Sequence, residues 1–373
     1  MHTAVLMSGG VDSSVAASLL VRRGGATVTA YYLKIWLEDE TAYMGECPWE
    51  EDLSYARAVC ADLGIDLVVV PLQREYYERV VEYALDELRA GRTPSPDIFC
   101  NLRVKFGAFL ERLGDSVDRV ASGHYARVES AGSIRRLRRA PDPVKDQTYF
   151  LSHLTQEQLG KIEFPIGGMK KNEVREYAER ERLATMKRKD SQGICFLGKI
   201  RYPEFVRHYL GEREGRIVER ETGRILGTHR GFWFHTIGQR QGLGLGNGPW
   251  YVVAKEIESN TVFVSHQEAL SASVRTEFTI EDVSWLEPAS GRTRLTTKLR
   301  HGPDLIPCDI RAIDEAWSRL HVRLDRPDAG IAPGQFAVLY DDEYCLGGGR
   351  VTGGGRVTGG GRIGAEREES CVS

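Results

Sequence analysis

A short apolar run, Ala4 to Met7, leads straight into Ser8-Gly9-Gly10-Val11-Asp12-Ser13-Ser14 and then into Val15, Leu19 and Leu20 at helical spacing. That order predicts a strand, a glycine-rich turn and a helix, and it constrains the fold more than any other feature of the chain. Where a strand feeds a helix through glycines, the unpaired amides and the positive helix end face the turn and can hold phosphate. Gly9 and Gly10 allow close backbone approach and positive φ, and the hydroxyls of Ser8, Ser13 and Ser14 add donors. Asp12 needs a partner other than phosphate. Either a Mg²⁺ ion serves, since hard cations favour carboxylates beside phosphates, or the loop's own amides do. The turn lacks both the GKS or GKT ending of a P-loop and the GxGxxG pattern, which argues against kinase and dehydrogenase chemistry.

The alternation continues. Residues 27–35 and 65–72 read as strands, and residues 52–63 and 75–89 as helices that stop at Gly64 and before Gly91. Residues 117–122 read as a strand entering Gly123-His124-Tyr125, and residues 171–182 as a further helix. Strands alternating with helices imply a parallel sheet covered on both faces, with ligands at the carboxyl ends of its strands. A chain of 373 residues exceeds what one core usually serves. The expected class is therefore α/β: a parallel-sheet domain over residues 1–200, a small glycine-rich central domain over 201–268 and a C-terminal antiparallel β-barrel over 269–365, then a tail, 366–373. The barrel rests on short strand candidates at 278–283, 294–299, 308–313, 320–324 and 337–340. GGGRVT occurs twice and is followed by GGGRI, over residues 347–363. A β-helix needs several repeats with side chains to bury, and only Val351, Val357 and Ile363 are apolar, so a duplicated strand end or a flexible tail fits better.

A net charge of −3 gives no global attraction to nucleic acid, so any such surface is a local patch. Lys145, Lys170, Lys171, Lys187, Arg188 and Lys189 supply one, and Arg135, Arg136, Arg138 and Arg139 another, although a charge run taken alone is more often a solvated face. The sequence shows no secretory leader pattern and no 18-residue apolar stretch. Seven widely spread cysteines are an odd number and do not resemble a disulfide framework. A cytoplasmic protein with thiols and no membrane partner is expected.

Two cysteines stand in distinctive settings. Thr93-Pro94-Ser95-Pro96-Asp97-Ile98-Phe99-Cys100-Asn101 has two prolines that keep the entry non-helical, setting Asp97 and Cys100 at one edge of a site. Lys187-Arg188-Lys189-Asp190-Ser191-Gln192-Gly193-Ile194-Cys195 places three basic residues near a thiol, which favours thiolate if they are close in space. Core filling is the competing role for each. Metal readings are weak: there is no CxxC, and His124 alone is no zinc site. Leu33, ending the second strand, either frames an adenine ring or packs in the core.

Taken together, SGGVDSS, GRTPSPDIFCN, ASGHYA, KDQTYFL, KDSQGICFLG, HTIGQRQGLG and PGQFAVLYDDEYCLGGG resemble the tRNA-specific 2-thiouridylase family (MnmA/TRMU type) over residues 3–350. The glycine motif alone is shared by many N-type ATP pyrophosphatases; the ordered set is specific. The resemblance implies an adenylating α/β domain, a small central domain and a C-terminal β-barrel. It also implies 2-thiolation of the wobble uridine, position 34, in tRNAs for Lys, Glu and Gln. ATP with Mg²⁺ would activate the base, and sulfur would arrive as a cysteine persulfide from a cysteine desulfurase or a persulfide-relay protein. By motif, Cys195 corresponds to the persulfide carrier, Cys100 to the second catalytic cysteine with which it forms a disulfide, and Asp97 to the acid-base residue beside the target base. ATP contacts would fall on Leu6, Met7, Ser8, Gly9, Gly10, Val11, Asp12, Ser13, Leu33 and Gly123. Contacts to tRNA would fall on Ser95, Pro96, Asp97, His124, Lys145, Asp146, Gln147, Arg300, His301 and Gln335. The chain departs from the family at Ser95, where Asn is common and where a hydroxyl loses the amide's paired donor and acceptor. It also departs in its repeated GGGRVT. The competing functions are another ATP pyrophosphatase, such as an amide-forming ligase, and a non-catalytic tRNA-binding protein.

Overall fold

The structure is a computed structural model that describes residues 1–35, 48–190, 202–266, 275–289, 291–328 and 330–352. Strand His2–Leu6 is apolar on both sides, and Thr3, Ala4 and Val5 are fully buried. Such a strand belongs in the middle of a sheet covered on both faces. It lies between Thr27–Lys34 and Arg119–Ala121, with Leu67–Pro71 and Ile162–Glu163 outside them, and all four pairings are parallel. Val5 and Met7 pack on one face with Ala17 and Leu20 of helix Val11–Arg23 and with Leu53, Ala56 and Val59 of helix Pro48–Leu63. Ala4 and Leu6 face the opposite core, which holds Tyr76, Val80, Leu85, Ile98, Val104 and Phe109. The strand order reverses between His2–Leu6 and Arg119–Ala121, and a crevice at the carboxyl ends of these two strands is where ligands bind in open parallel sheets.

Four strands build the central unit: Gly215–Glu219, Ile225–His229, Trp250–Glu256 and Thr261–His266. Its middle pair is parallel and its outer pairs antiparallel. The C-terminal unit closes on itself through six antiparallel strands, in the order Arg275–Trp285, Leu320–Asp328, Ile306–Ala312, Arg294–Lys298, Phe336–Asp341 and Tyr344–Thr352, with the last pairing back to the first. Leu320, Val322 and Leu324 alternate into its core, as the two-residue period of a strand requires. The α/β class with a central domain and an antiparallel barrel is therefore borne out.

The first GGGRVT copy is the end of the closing strand. A Cβ on Gly348 or Gly349 would stand 2.5 Å from the Ala337 carbonyl oxygen or 2.8 Å from that of Glu281, so the neighbouring strands leave room only for glycine. The second copy and the tail lie outside the described residues, as does the end of the expected barrel beyond residue 352.

A hairpin that joins the barrel was not expected. Strands Ala126–Ala131 and Ile134–Arg139 form a hairpin whose second strand pairs with Tyr344–Thr352, at Tyr344–Arg138 and Cys345–Leu137. Three arginines of the run that read as either a phosphate-holding patch or a solvated face are consumed at this junction. Arg136 pairs with Glu287 at 2.6 Å and lies 3.6 Å over the Tyr344 ring; Arg138 pairs with Glu129 at 2.8 Å and with Glu343; Arg139 pairs with Asp146 at 3.4 Å. These side chains weld the parallel-sheet domain to the barrel.

Candidate active site

Gly9 adopts φ +73°, and a side chain there would run into the carbonyl oxygen of Asp52. Position 9 therefore demands glycine on both counts. The Ser8 and Ser13 hydroxyls lie 3.1 Å apart, and the Ser13 and Ser14 hydroxyls donate to the Gly10 carbonyl at 3.0 and 2.8 Å. These bonds fold the turn over the start of helix Val11–Arg23, whose first amides face the crevice.

Gly123 follows the strand across the reversal and presses on the same turn. A Cβ at Gly123 would come within 2.7 Å of the Asp12 carbon and the Ser13 nitrogen. The next residue points the other way. His124 packs its ring against Phe106 and Phe164, with centroids 5.9 and 5.8 Å away, and shares a 2.8 Å hydrogen bond with Ser122. Burial, with the nearby Lys105 charge adding to it, pushes its pKa well below the usual histidine value, so the ring is neutral at physiological pH.

Phe106 belongs to the helix that carries Cys100. Ser95 precedes that helix and Pro96 occupies its first turn, where a missing N–H costs nothing. From Cys100 to Ala108 the turns widen, with the Phe109 amide reaching back to the Val104 carbonyl; such stretches are frequent at functional sites. Cys100 is buried, and Asp97 stands one turn earlier at partial exposure. Burial raises the Tyr149 hydroxyl pKa, and the charges of Asp97 and Arg300 act on it in opposite senses.

All three domains meet at this segment. Gly91 packs so closely on Ile257 of the central unit that a Cβ would lie 2.9 Å from its side chain. The Thr93 amide donates to the Pro333 carbonyl at 2.8 Å, and Gly334, at φ +91°, presses on Thr93 and Arg92. Arg92 pairs with Glu87 at 2.6 Å, and Arg350 approaches the same carboxylate at 4.0 Å. Asn101 donates to the Phe150 carbonyl at 3.2 Å, and the Phe150 ring stacks on His301 with centroids 4.8 Å apart and 17° between planes.

The basic segment before Cys195 also closes on the glycine turn. Arg188 donates to the Gly9 carbonyl at 2.6 Å and pairs with Asp52. Asp12 accepts from Lys171 at 2.7 Å and from the Tyr125 hydroxyl at 2.7 Å. Asp190 binds Lys171 and Lys145, each at 2.8 Å, and Arg175. Burial alone raises the Asp190 pKa, but the Lys145 and Lys171 ammonium groups outweigh it and hold the carboxyl far below its ordinary range. Cys195 itself lies outside the described residues.

Family models match most of the chain. One described as a tRNA methyl transferase HUP domain covers residues 1–199, a tRNA methyl transferase PRC-barrel domain 203–266, and an aminomethyltransferase β-barrel domain 275–351. The relatives carry another activity in their names. The tRNA-specific 2-thiouridylase MnmA 1 of Bacteroides thetaiotaomicron is 45% identical over 359 residues, which is 94% of this chain and 100% of the relative. MnmA of Parabacteroides distasonis is 44% identical, over 94% of this chain and 99% of its own. The chain belongs to the tRNA-specific 2-thiouridylase family. Whole-length identity of this order outweighs the methyl transferase wording of the domain descriptions. Among solved structures, the U34-tRNA thiolase NcsA from Methanococcus maripaludis aligns over 57% of this chain and 67% of its own at 18% identity with a TM-score of 0.34, too low a likeness to add to that assignment.

Within that family setting, five of the residues expected to meet tRNA lie together. Ser95, Pro96, Asp97, His301 and Gln335 border the three-domain junction. Gln335 uses its carboxamide oxygen on the Ala332 amide at 3.1 Å, and Arg300 pairs with Asp328 at 2.5 Å. Asp146, which the resemblance places among the tRNA contacts, has its side chain inside the protein. It is fully buried and holds the equally buried Lys298 at 2.8 Å, so its carboxylate is spent inside the protein. Gln147 exchanges two 2.9 Å hydrogen bonds with the Tyr125 backbone, tying the KDQ segment to the strand end that carries Gly123. Leu33 is half-buried and packs against the core beside Leu6 and Tyr31. Sequence reading missed Lys171, Tyr125 and Arg188 as partners of the glycine turn. Their pairings span more than a hundred residues, and no local pattern marks them.

Proposed function

We propose that the chain, as a tRNA-specific 2-thiouridylase, adenylates the C2 oxygen of wobble uridine 34 with ATP and replaces it with sulfur carried as a persulfide on Cys195. The observation that carries this reading is the Gly123-His124 pair. Gly123 touches the glycine turn and His124 touches the helix of Cys100, which supports a single crevice for nucleotide and cysteine chemistry.

A uracil C2 carbonyl is a poor electrophile and its oxygen a poor leaving group. Attack of that oxygen on the α-phosphorus of ATP expels pyrophosphate into the glycine turn and turns the oxygen into part of an AMP leaving group. The terminal sulfur on Cys195 then attacks C2, and AMP departs with the former carbonyl oxygen. Cys100 thiolate next attacks the inner sulfur; the S–S bond to the base breaks, its electron pair stays on the new thiocarbonyl sulfur, and a Cys100–Cys195 disulfide forms. An external thiol resets it. In the second route Cys100 attacks the persulfide first and releases hydrogen sulfide, which attacks C2. Asp97 would move the proton at the base.

Mg²⁺ accompanies ATP in this reading and offsets phosphate charge. Such ions take one or two carboxylates along with phosphate oxygens, and Asp12 is the carboxylate beside the turn, held by Lys171 and Tyr125. Stacking on aromatic rings is how single-stranded loop bases are held, and the Phe150–His301 pair near Asn101 suits an anticodon base turned out of its loop. The tRNAs for Lys, Glu and Gln are the proposed substrates, with a desulfurase or persulfide relay as donor. Incubation with ATP, Mg²⁺, unmodified tRNA and a persulfide source should yield AMP and pyrophosphate in a tRNA-dependent manner; release of ADP and phosphate would overturn the adenylation step.

A further inference from the structure

Four charged groups run in a line from the glycine turn to the basic KDQ segment. Asp12 binds Lys171 at 2.7 and 3.0 Å; Lys171 also binds Asp190 at 2.8 Å; Asp190 binds Lys145 through its other oxygen at 2.8 Å. Lys171 is mostly buried, at 15% side-chain exposure, while Lys145 is more open at 37%. Each acid is flanked by a second partner, Tyr125 for Asp12 and Arg175 for Asp190. The backbone is fixed as well: the Lys171 and Lys145 amides both donate to Asp142, at 3.1 and 3.2 Å. One ammonium is thus shared between a carboxylate of the nucleotide turn and a carboxylate that holds a lysine facing solvent.

We infer that Asp190 is a positioning residue that couples nucleotide binding at the glycine turn to tRNA binding at Lys145, through the shared Lys171. The inference rests on the functional reading above. Its sign follows from charge competition. When a tRNA phosphate draws Lys145 away, Asp190 loses one cation and holds Lys171 more strongly. Asp12 is then released from Lys171 and becomes available to the cation that accompanies ATP. In the reverse direction, engagement of Asp12 by the incoming nucleotide moves Lys171 wholly onto Asp190, which loosens Lys145 for phosphate. Each ligand therefore raises the affinity of the other, and by linkage the two factors are equal.

The test is the affinity of the full chain for unmodified tRNA-Glu, measured with and without saturating Mg²⁺ and α,β-methylene ATP, which cannot be split between those phosphates. The wild type should bind tRNA at least about fivefold more tightly with the nucleotide, the lower end of ordinary coupling between sites. Asp190→Asn should bring that ratio to about one while leaving affinity for the nucleotide alone within a few-fold. Lys145→Gln breaks the same line at its exposed end and guards against a folding defect in Asp190→Asn; it should weaken tRNA binding and also abolish the ratio. The double variant should lose no more coupling than either single one, as residues of one network do. An unchanged ratio in both variants, or a ratio of one in a wild type that binds both ligands, overturns the inference and leaves the thiouridylase reading intact. A wild type that binds no tRNA overturns both.

Discussion

Cys100→Ser should lower 2-thiouridine formation by on the order of 10³-fold or more, the scale on which enzymes lose rate when a nucleophile is removed. A serine hydroxyl preserves the size of the side chain but supplies neither a thiolate nor a sulfur that can take up a disulfide. Cys100 is buried on the helix that follows the three-domain junction, so a near-isosteric change leaves that packing in place. The first chemical step does not need it. A single-turnover burst of pyrophosphate from ATP and tRNA should therefore remain within a few-fold of wild type. Loss of the burst together with the product would mean that Cys100 supports the fold or the base pocket rather than sulfur transfer.

The second large effect concerns stability. Asp146 and Lys298 are both fully inaccessible, 2.8 Å apart, and join the KDQ segment to the barrel strand Arg294–Lys298. Thr148 and the Ala140 amide also donate to Asp146, at 3.0 and 3.2 Å, and Lys298 lies 5.5 Å from the Tyr340 ring. Removing one partner of a buried ion pair leaves the other charged in a place water does not reach, at a cost of roughly 3–5 kcal/mol. Asp146→Ala and Lys298→Met should each destabilise by about that amount in urea, followed by the fluorescence of the barrel residues Trp285 and Trp317. The double variant should fall well short of the sum, because neither charge is left stranded. Strict additivity, or single effects under about 1 kcal/mol, would show that water or another group compensates.

This pair also marks where sequence reading stops. The strand–glycine turn–helix order at residues 4–20 was legible because one apolar period changes to another across a few glycines, and the parallel sheet followed from its repetition. Barrel strands were legible as alternating runs such as residues 320–324. The hairpin over residues 126–139 was not. Its second strand shows little apolar signal, since only Leu137 is fully buried and the arginines around it are neutralised by Glu129 and Asp146 nearby and by Glu287 and Glu343, far away in sequence. The charge run looked like a surface because its two barrel partners, Glu287 and Glu343, lie far along the chain. Likewise, the KDQ motif is polar throughout, yet its middle residue is a buried anchor and its last is zipped to Tyr125. The site was legible as motifs, whereas its assembly was not. Gly123 is a glycine because Asp12 and Ser13 leave no space for a Cβ, and that is a contact between two loops rather than a pattern in either.

The most direct test of the account is mass analysis of nucleoside 34 from unmodified tRNA-Glu incubated with the chain, ATP, Mg²⁺ and a persulfide source, beside Cys100→Ser and Cys195→Ser variants. The account predicts a uridine heavier by the difference between sulfur and oxygen in the wild type, and unmodified uridine with either variant. An unchanged uridine 34 in the wild type while ATP is converted to AMP, or undiminished thiolation in either variant, would contradict it.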